Sequence, residues 1–530
     1  MRKQESAWIT YSNGLAADAV VAFGKTGLAK ARHLFRYFQE VLHDRGLAFE
    51  VAPNSACAQM AYMDQQDLDD VHGIMGPSAL LLYGIDNSVI TSINWETGTV
   101  RGLIKSDILQ RLGVTEDTLI DAFLMVGSQS LPPFPALLDI VPDQPPKLQD
   151  AINMLRTAGK SVANMCETFN DTLQKSEPNW QDLYQKARMG TKHAVVLTKE
   201  GNVTPLKHEE LTSDHFEYIG LQLPPEIYHY MNKGLIGSKV ASWFTWLQGF
   251  AYPPLAGGEG EGYRNLISKT LIPVKEQTAA LYAKRMHRAY QHKTIDLKFY
   301  YDPKKVVTMN HNDVTPAPER QVNTWRVKKD VLDRAKIGER KPGSIAYALL
   351  SLEDDEFVKA TILAEPTKVV ALKTEEEVLA NTLWRYFHLR GYIDDSHKLT
   401  QWGQALATAL KTLPNAEQQE AAAMAFELVR FKQLNAQNEH EDWIGAPAMG
   451  TEEQRKYCLL ISRVASLLKL RHKSIGYSGP LSKDLLAYHS VINVVRSTER
   501  DLVEAAAATM FMSSHAERKD RKDWAHLGLR

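Results

Sequence analysis

The sequence offers a handful of places where residue type and spacing could do chemistry, and most of them fail on spacing. Gly24-Lys25-Thr26 has the ending of a phosphate-binding loop. Such a loop needs a further glycine five positions before the second one, so that successive backbone N–H groups curl around the phosphates. That position holds Ala19, and the match is read as chance. Cys57, Cys166 and Cys458 are scattered without C-x-x-C spacing, which argues against a disulfide framework and a cysteine-based zinc site and fits a reducing compartment. Two-metal phosphodiester cleavage needs clustered carboxylates that hold divalent cations a few ångströms apart. Asp69-Asp70 reads as a solvated turn, and Asp86, beside Asn87, as a turn former that alone would hold one ion loosely at best. Asn310-His311-Asn312-Asp313 lacks a second ligand cluster, so no metal site is assigned there. The glycines at 257, 258, 260 and 262 are interleaved with glutamates that would repel phosphate, which makes a flexible loop of them.

Polyanion contact is the other chemistry in view. Lys284, Arg285, Arg288 and Lys293, with His287 and His292, form a basic helical face that could meet RNA phosphates; the competing reading is a solvated face. Arg463, Lys469, Arg471, His472 and Lys473 sit near the end of another helix, where cations also complement the helix dipole. Trp243, Trp246, Trp325, Trp384 and Trp402 could stack bases, although tryptophans at helical spacing also build cores. The formal net charge of −1 excludes a globally basic polyanion binder and leaves room for a local basic patch.

These residues need elements to position them. A chain of 530 residues, 44% apolar and 24% charged, has the composition of folded domains and the length for two to four of them. No apolar run approaches the roughly 20 residues that span a bilayer, and the first residues show no secretory pattern. Leu34, Phe35, Phe38, Val41 and Leu42 recur at helical spacing before Gly46, and 47–51 reads as a strand. A helix is expected from about residue 58 to 70. The run 80–85 is continuously apolar, as a strand buried in a parallel sheet would be, and 89–95 is a second, β-branched strand. A helix at 107–112 stops at Gly113, and Thr115 caps the next one. This alternation predicts an α/β layer structure closed by the proline-rich break at 142–146. An alanine- and methionine-rich helix to about 169 follows, with a linker at 176–178. Then come a hairpin around Gly201-Asn202, a helix at 239–247, strands at 297–301 and 345–352, and a capping-box helix opening at Thr374. Residues 374–412, read as helix, short strand and capped helix, have the order of a winged-helix segment. Beyond Pro414 the chain reads as mainly helical, with a charged tail at 517–523.

Three segments carry a resemblance. Pro53-Asn54-Ser55-Ala56-Cys57-Ala58, then Gly76-Pro77-Ser78-Ala79-Leu80-Leu81-Leu82-Tyr83-Gly84, then Leu124-Met125-Val126-Gly127-Ser128-Gln129-Ser130 resemble the internal region of the flap-endonuclease/XPG superfamily. There the corresponding stretches read approximately A-P-x-E-A-E-A, T-E-D-x-D-x-L-x-F-G and L-x-G-S-D-Y. The framework residues match and the carboxylates do not: Ser55, Cys57, Pro77, Ala79 and Gln129 stand at the metal-holding places. The superfamily's first strand and N-terminal acidic block are also not seen in this sequence. The segments 52–62 and 76–83, with 192–198 and 323–329, are similar to the fungal maintenance-of-killer-toxin proteins over about residues 30 to 510. That resemblance implies a degenerate XPG/PIN-like domain at 1–150, a family-specific α/β middle domain at 151–290 and a mixed, then mainly helical, C-terminal domain at 291–530. It further implies a non-catalytic post-transcriptional regulator of mRNA translation or stability, without a cofactor and in the cytoplasm or its RNA granules. The implied partner is an ataxin-2-like protein that binds poly(A)-binding protein, held through the C-terminal region. An active flap-type nuclease using atypical ligands and an RNA-binding module in the old cleft are the alternatives.

Overall fold

The computed structural model describes residues 2–25, 34–66, 73–85, 88–128, 131–140, 145–173, 179–198, 200–211, 220, 223–232, 234–254, 260–286, 288–335, 337–362, 371–436, 450–467 and 483–513. The chain divides into two units, one of residues 50–228 and one of residues 1–49 with 229–530. The architecture is mixed α/β, with small sheets and a helical C-terminal part.

In the 50–228 unit, local signals decide most of the elements. Thr115 accepts from Thr118 N at 3.3 Å and opens helix Glu116–Val126, while Gly113 ends Lys105–Leu112 in the left-handed conformation. Val89–Asn94 pairs antiparallel with Thr99–Leu103 and parallel with the two-residue strand Ile74–Met75. The expected buried strand at 80–85 is instead a tight helical turn, Ser78–Leu82, entered through the extended Pro77. Leu80 and Leu81 still reach the core, so the apolar run predicts burial correctly and backbone type wrongly. Residues 47–51, also expected as a strand, take no regular structure. The expected alanine- and methionine-rich helix is two helices, Leu148–Thr157 and Val162–Thr168, broken where Gly159 and Lys160 both have positive φ. Helix Glu116–Val126 packs on Leu148–Thr157 over a core that includes Phe134 and Trp180, whose rings meet edge-on at 4.8 Å. The hairpin is present as Val195–Leu197 with Val203–Pro205, preceded by helix Trp180–Lys192. The linker at 176–178 lies outside the described residues.

In the other unit, strand Ile295–Phe299 lies between Gln248–Ala251, parallel, and Asp302–Met309, antiparallel. Residues 345–352, expected as a strand, form helix Ile345–Leu350 and a further turn, because Ser344 accepts from Tyr347 N at 3.1 Å and starts a helix. The Thr374 capping box is present and opens Glu375–Leu389. An isolated bridge, Ile393 to Leu399, and the Thr400-capped helix Gln401–Leu410 follow. A Cβ on Gly403 would overlap the Tyr392 carbonyl oxygen, so this helix closes against the loop only with glycine there. Helices Ile272–Ala283 and Glu375–Leu389 both pack on the long helix Lys483–Met512. Helix Phe35–Asp44 forms as its spacing predicts, but Leu34, Phe35, Phe38 and Val41 remain exposed. Lys25 follows the C-terminus of helix Ala16–Gly24, the end whose dipole repels phosphate.

Candidate functional site

Ser55 and Cys57 stand at the start of helix Ala56–Gln65, and the fold uses both for structure. The Ser55 hydroxyl caps the helix, accepting from Ala58 N at 3.4 Å, and also accepts from the Tyr83 hydroxyl at 3.1 Å. Cys57 is half-buried against the cluster of Ile74, Leu80, Leu81 and Val89, and burial pushes its thiol pKa up, away from the thiolate that binds metal. Pro77 and Ala79 lie exposed at the entry to the Ser78–Leu82 turn and carry no oxygen ligand. The helix and the turn pack together, so Ser55, Cys57 and the turn belong to one neighbourhood. Gln129 and Asp86 lie outside the described residues.

The framework around these positions is firmly built. Gly127 has φ +107°, and a Cβ there would sit 2.9 Å from Pro133 Cγ; Ser128 N donates to Leu131 O at 2.8 Å and Ser128 Oγ accepts from Leu131 N at 3.2 Å. Lys105 donates to the Tyr83 carbonyl at 2.9 Å and pairs with Glu116. Gln59 exchanges two 2.8 Å hydrogen bonds with the backbone N–H and C=O of Leu197, completing the open edge of a strand with a side-chain amide. Asp121 is likewise committed: burial raises its pKa, while the Tyr184 hydroxyl at 2.8 Å and Arg188 at 3.0 Å support its charge. Among the described residues, no group of three or more His, Cys, Asp or Glu side chains is placed to hold a metal ion.

The basic candidates separate in the structure. Lys284 and Lys293 are exposed, whereas Arg285 is three-quarters buried and bound to Glu319 at 2.7 Å. Arg288 begins the short helix Arg288–Gln291, and its side chain is outside the described residues, as are His287, Lys469, Arg471, His472 and Lys473. Arg463 is buried, its Nη1 donating to Asn435 O at 2.6 Å, so the fold holds it inside as a tether instead of presenting it as a surface cation. Of the tryptophans, Trp243, Trp325 and Trp384 are core, while Trp246 and Trp402 keep an exposed face. His311 is buried beside Phe244.

A buried polar cluster lies apart from the residues that the sequence marks as candidates. It lies on helix Glu375–Leu389, where Glu377, Asn381, Arg385 and His388 share one face and are all buried. Asn381 exchanges two 2.8 Å hydrogen bonds with the backbone of Val327, the counterpart of the Gln59 pairing. Glu377 accepts from Lys329 N at 2.8 Å and Thr374 N at 3.0 Å; burial alone would raise its pKa, but these backbone donors and Lys373 N hold it below the usual carboxylate value. Trp325 stacks on His397 at 3.6 Å and donates to His388 Nδ1 at 3.1 Å, and His388 Nε2 meets Asp395 at 2.9 Å. Burial and then the neighbouring His388 push His397 down to about 4. The signal available in the sequence was the polar spacing 377, 381, 385, 388, an i, i+4, i+8, i+11 stripe.

Comparison with known proteins adds names to this geometry. Residues 212–301 match the N-terminal domain, and 385–530 the C-terminal domain, of the MKT1 family, described as a temperature-dependent protein affecting M2 dsRNA replication. A protein named post-transcriptional regulator MKT1 from Cryptococcus neoformans var. grubii is 26% identical over 99% of this chain and 71% of its own length. The protein of that name from Saccharomyces cerevisiae is 23% identical over 94% of this chain and 67% of its own length. The Schizosaccharomyces pombe protein is 24% identical over 76% of this chain, which spans only 57% of that relative. The chain carries both MKT1 family-model domains. Among the described residues no helix is long and apolar enough to cross a membrane.

Proposed function

We propose that this chain, built on both MKT1 family domains, is a non-catalytic post-transcriptional regulator that controls the translation or stability of particular mRNAs as a scaffold. The observation that carries the reading is the use made of the metal-holding places. Ser55 is a helix cap and hydrogen-bond acceptor, Cys57 is packed into a core, and Pro77 and Ala79 offer no oxygen ligand. Magnesium needs several anionic oxygens, and a cap serine and three side chains without hard oxygens do not supply them. The relatives' names, all of post-transcriptional regulators, agree with this. On this reading 1–150 is a pseudonuclease domain of XPG/PIN type. Residues 291–530 hold an ataxin-2-like, poly(A)-binding-protein-associated partner in cytoplasmic RNA granules.

The test is incubation of the full chain with flap and single-stranded nucleic acids in Mg²⁺ and in Mn²⁺. The reading expects no cleavage; chelator-sensitive cleavage overturns it in favour of an active nuclease. Pull-down of the ataxin-2-like protein with the full chain tests the partner, and loss of capture on changing 291–530 surface residues is the expected result.

A further inference from the structure

The long helix Lys483–Met512 is seated through a guanidinium that two carboxyl groups share. Arg390 follows helix Glu375–Leu389 and is buried; its Nη2 lies 2.5 Å and its Nε 3.1 Å from Glu427 Oε2, and the same Nε lies 3.3 Å from Glu499 Oε2. Glu427 comes from helix Ala416–Arg430 and Glu499 from the long helix, and both are buried. The partners are divided unequally. Glu427 takes both nitrogens of Arg390 and, through Oε1, Arg430 Nη1 at 3.1 Å. Glu499 accepts from the Tyr386 hydroxyl at 2.9 Å and has a share of one N–H, and among the described residues its Oε1 has no hydrogen-bond partner. One buried cation thus faces two buried acids, while Arg430, the second cation, keeps part of its surface in solvent. An ionised Glu499 would be a second buried anion with a bare oxygen. A protonated one leaves only a neutral hydroxyl unpaired, which is the smaller cost.

We propose that Glu499 carries a proton in the folded chain, and that this proton makes the seating of the long helix a pH-sensitive latch. The other ionisable groups around the long helix are engaged elsewhere. Lys239, with Lys275 and Tyr282 of helix Ile272–Ala283, faces Asp501 and Glu504. On the long helix itself Arg500 binds Glu504 at 2.9 Å and Arg496 acts on His489. Burial first, opposed by Arg390 and reinforced by the charge of Glu427, pushes the Glu499 carboxyl up to about 8. Released from the seam, the group returns to the usual glutamate value of 4.5, so seating takes up one proton between the two values. The stabilisation is complete below 4.5 and is lost as pH rises through 8. The latch therefore tightens as pH falls from 8, opposite in sign to His397. It neither needs nor bears on the regulatory reading above.

The experiment is hydrogen exchange of the helix Lys483–Met512 amides in the full chain at pH 5.5 and 7.5, corrected for intrinsic exchange rates. Glu499→Gln copies the neutral acid. Its protection relative to the parent should rise about 50- to 100-fold from the lower pH to the higher, the effect of one proton over that window. Glu427→Gln frees Arg390 to pair with Glu499, which then ionises, so the one-proton slope of the parent should be lost there too. A ratio of protection between Glu499→Gln and the parent that is the same at both pH values makes Glu499 a packing contact and overturns the latch. So does a parent slope that survives in Glu427→Gln. That second variant keeps the test decisive should Glu499→Gln not fold.

Discussion

Helix Ala56–Gln65 and helix Glu375–Leu389 make the same kind of bond and surround it differently. On each, a buried amide pairs twice with the backbone of an extended segment, Gln59 with Leu197 and Asn381 with Val327, at 2.8 Å throughout. Around Gln59, Ser55 is committed to a helix cap and Cys57 is packed against a core, both neutral side chains. Around Asn381 the fold keeps a carboxylate, two histidines and an arginine inside, and among the described residues each finds a hydrogen-bond partner, Arg385 through Nη2 alone. Ionisable groups are costly to bury and are retained where something repays them. The difference therefore separates a neighbourhood of neutral side chains from one that keeps ionisable groups buried.

The comparison breaks most readily at the two amides. Asn381→Leu leaves the Val327 N–H and C=O unpaired in a dry core and is expected to cost roughly 2–4 kcal/mol by urea unfolding. Gln59→Leu should cost less, about 1–2 kcal/mol, because Leu197 is half-exposed and water can replace the amide. Equal losses would mean the two settings are not different in kind. An effect of about the same size as the Gln59 loss comes from pH. His397, stacked under Trp325, has its folded pKa lowered to about 4, so its contribution is complete above the unfolded value near 6.5 and is lost as pH falls from there towards 4. Between pH 7.5 and 5 the protein should lose roughly 2 kcal/mol through this group, and His397→Asn, which tolerates the positive φ, should flatten the profile. Smallest is Ser55→Ala, expected to cost about 1 kcal/mol as a lost cap and, on the proposed reading, to leave nucleic-acid substrates uncut.

How much of this was legible depends on the range of the signal. Thr115, Thr374 and Gly113 announce helix ends through bonds made within a few residues, and the Gly201-Asn202 turn announces its hairpin; all were readable. The runs 80–85 and 345–352 were read as strands because continuous apolarity reports burial and not backbone type. In both, a residue before the run carried the answer: the extended Pro77, and Ser344 as a cap. The exposed apolar face of Phe35–Asp44 shows the converse, spacing that gives a helix without giving its cover. For the candidate site, the absence of acids at 55, 57, 77 and 79 is plain in the sequence, but the structural roles of Ser55 and Cys57 depend on Tyr83 and Leu80, more than twenty residues away. The buried polar cluster was hidden for the same reason: Trp325 and Val327 meet it through tertiary packing, and only the polar stripe on Glu375–Leu389 is written locally.

The central claim, that this chain governs transcripts without cutting them, is tested most directly by tethering the full chain to a reporter mRNA and following protein output, transcript half-life and cleavage fragments together. The account predicts altered output or half-life with no internal cleavage fragments. Unchanged output and half-life would contradict the regulatory role, and metal-dependent fragments at the tether would contradict the loss of nuclease chemistry.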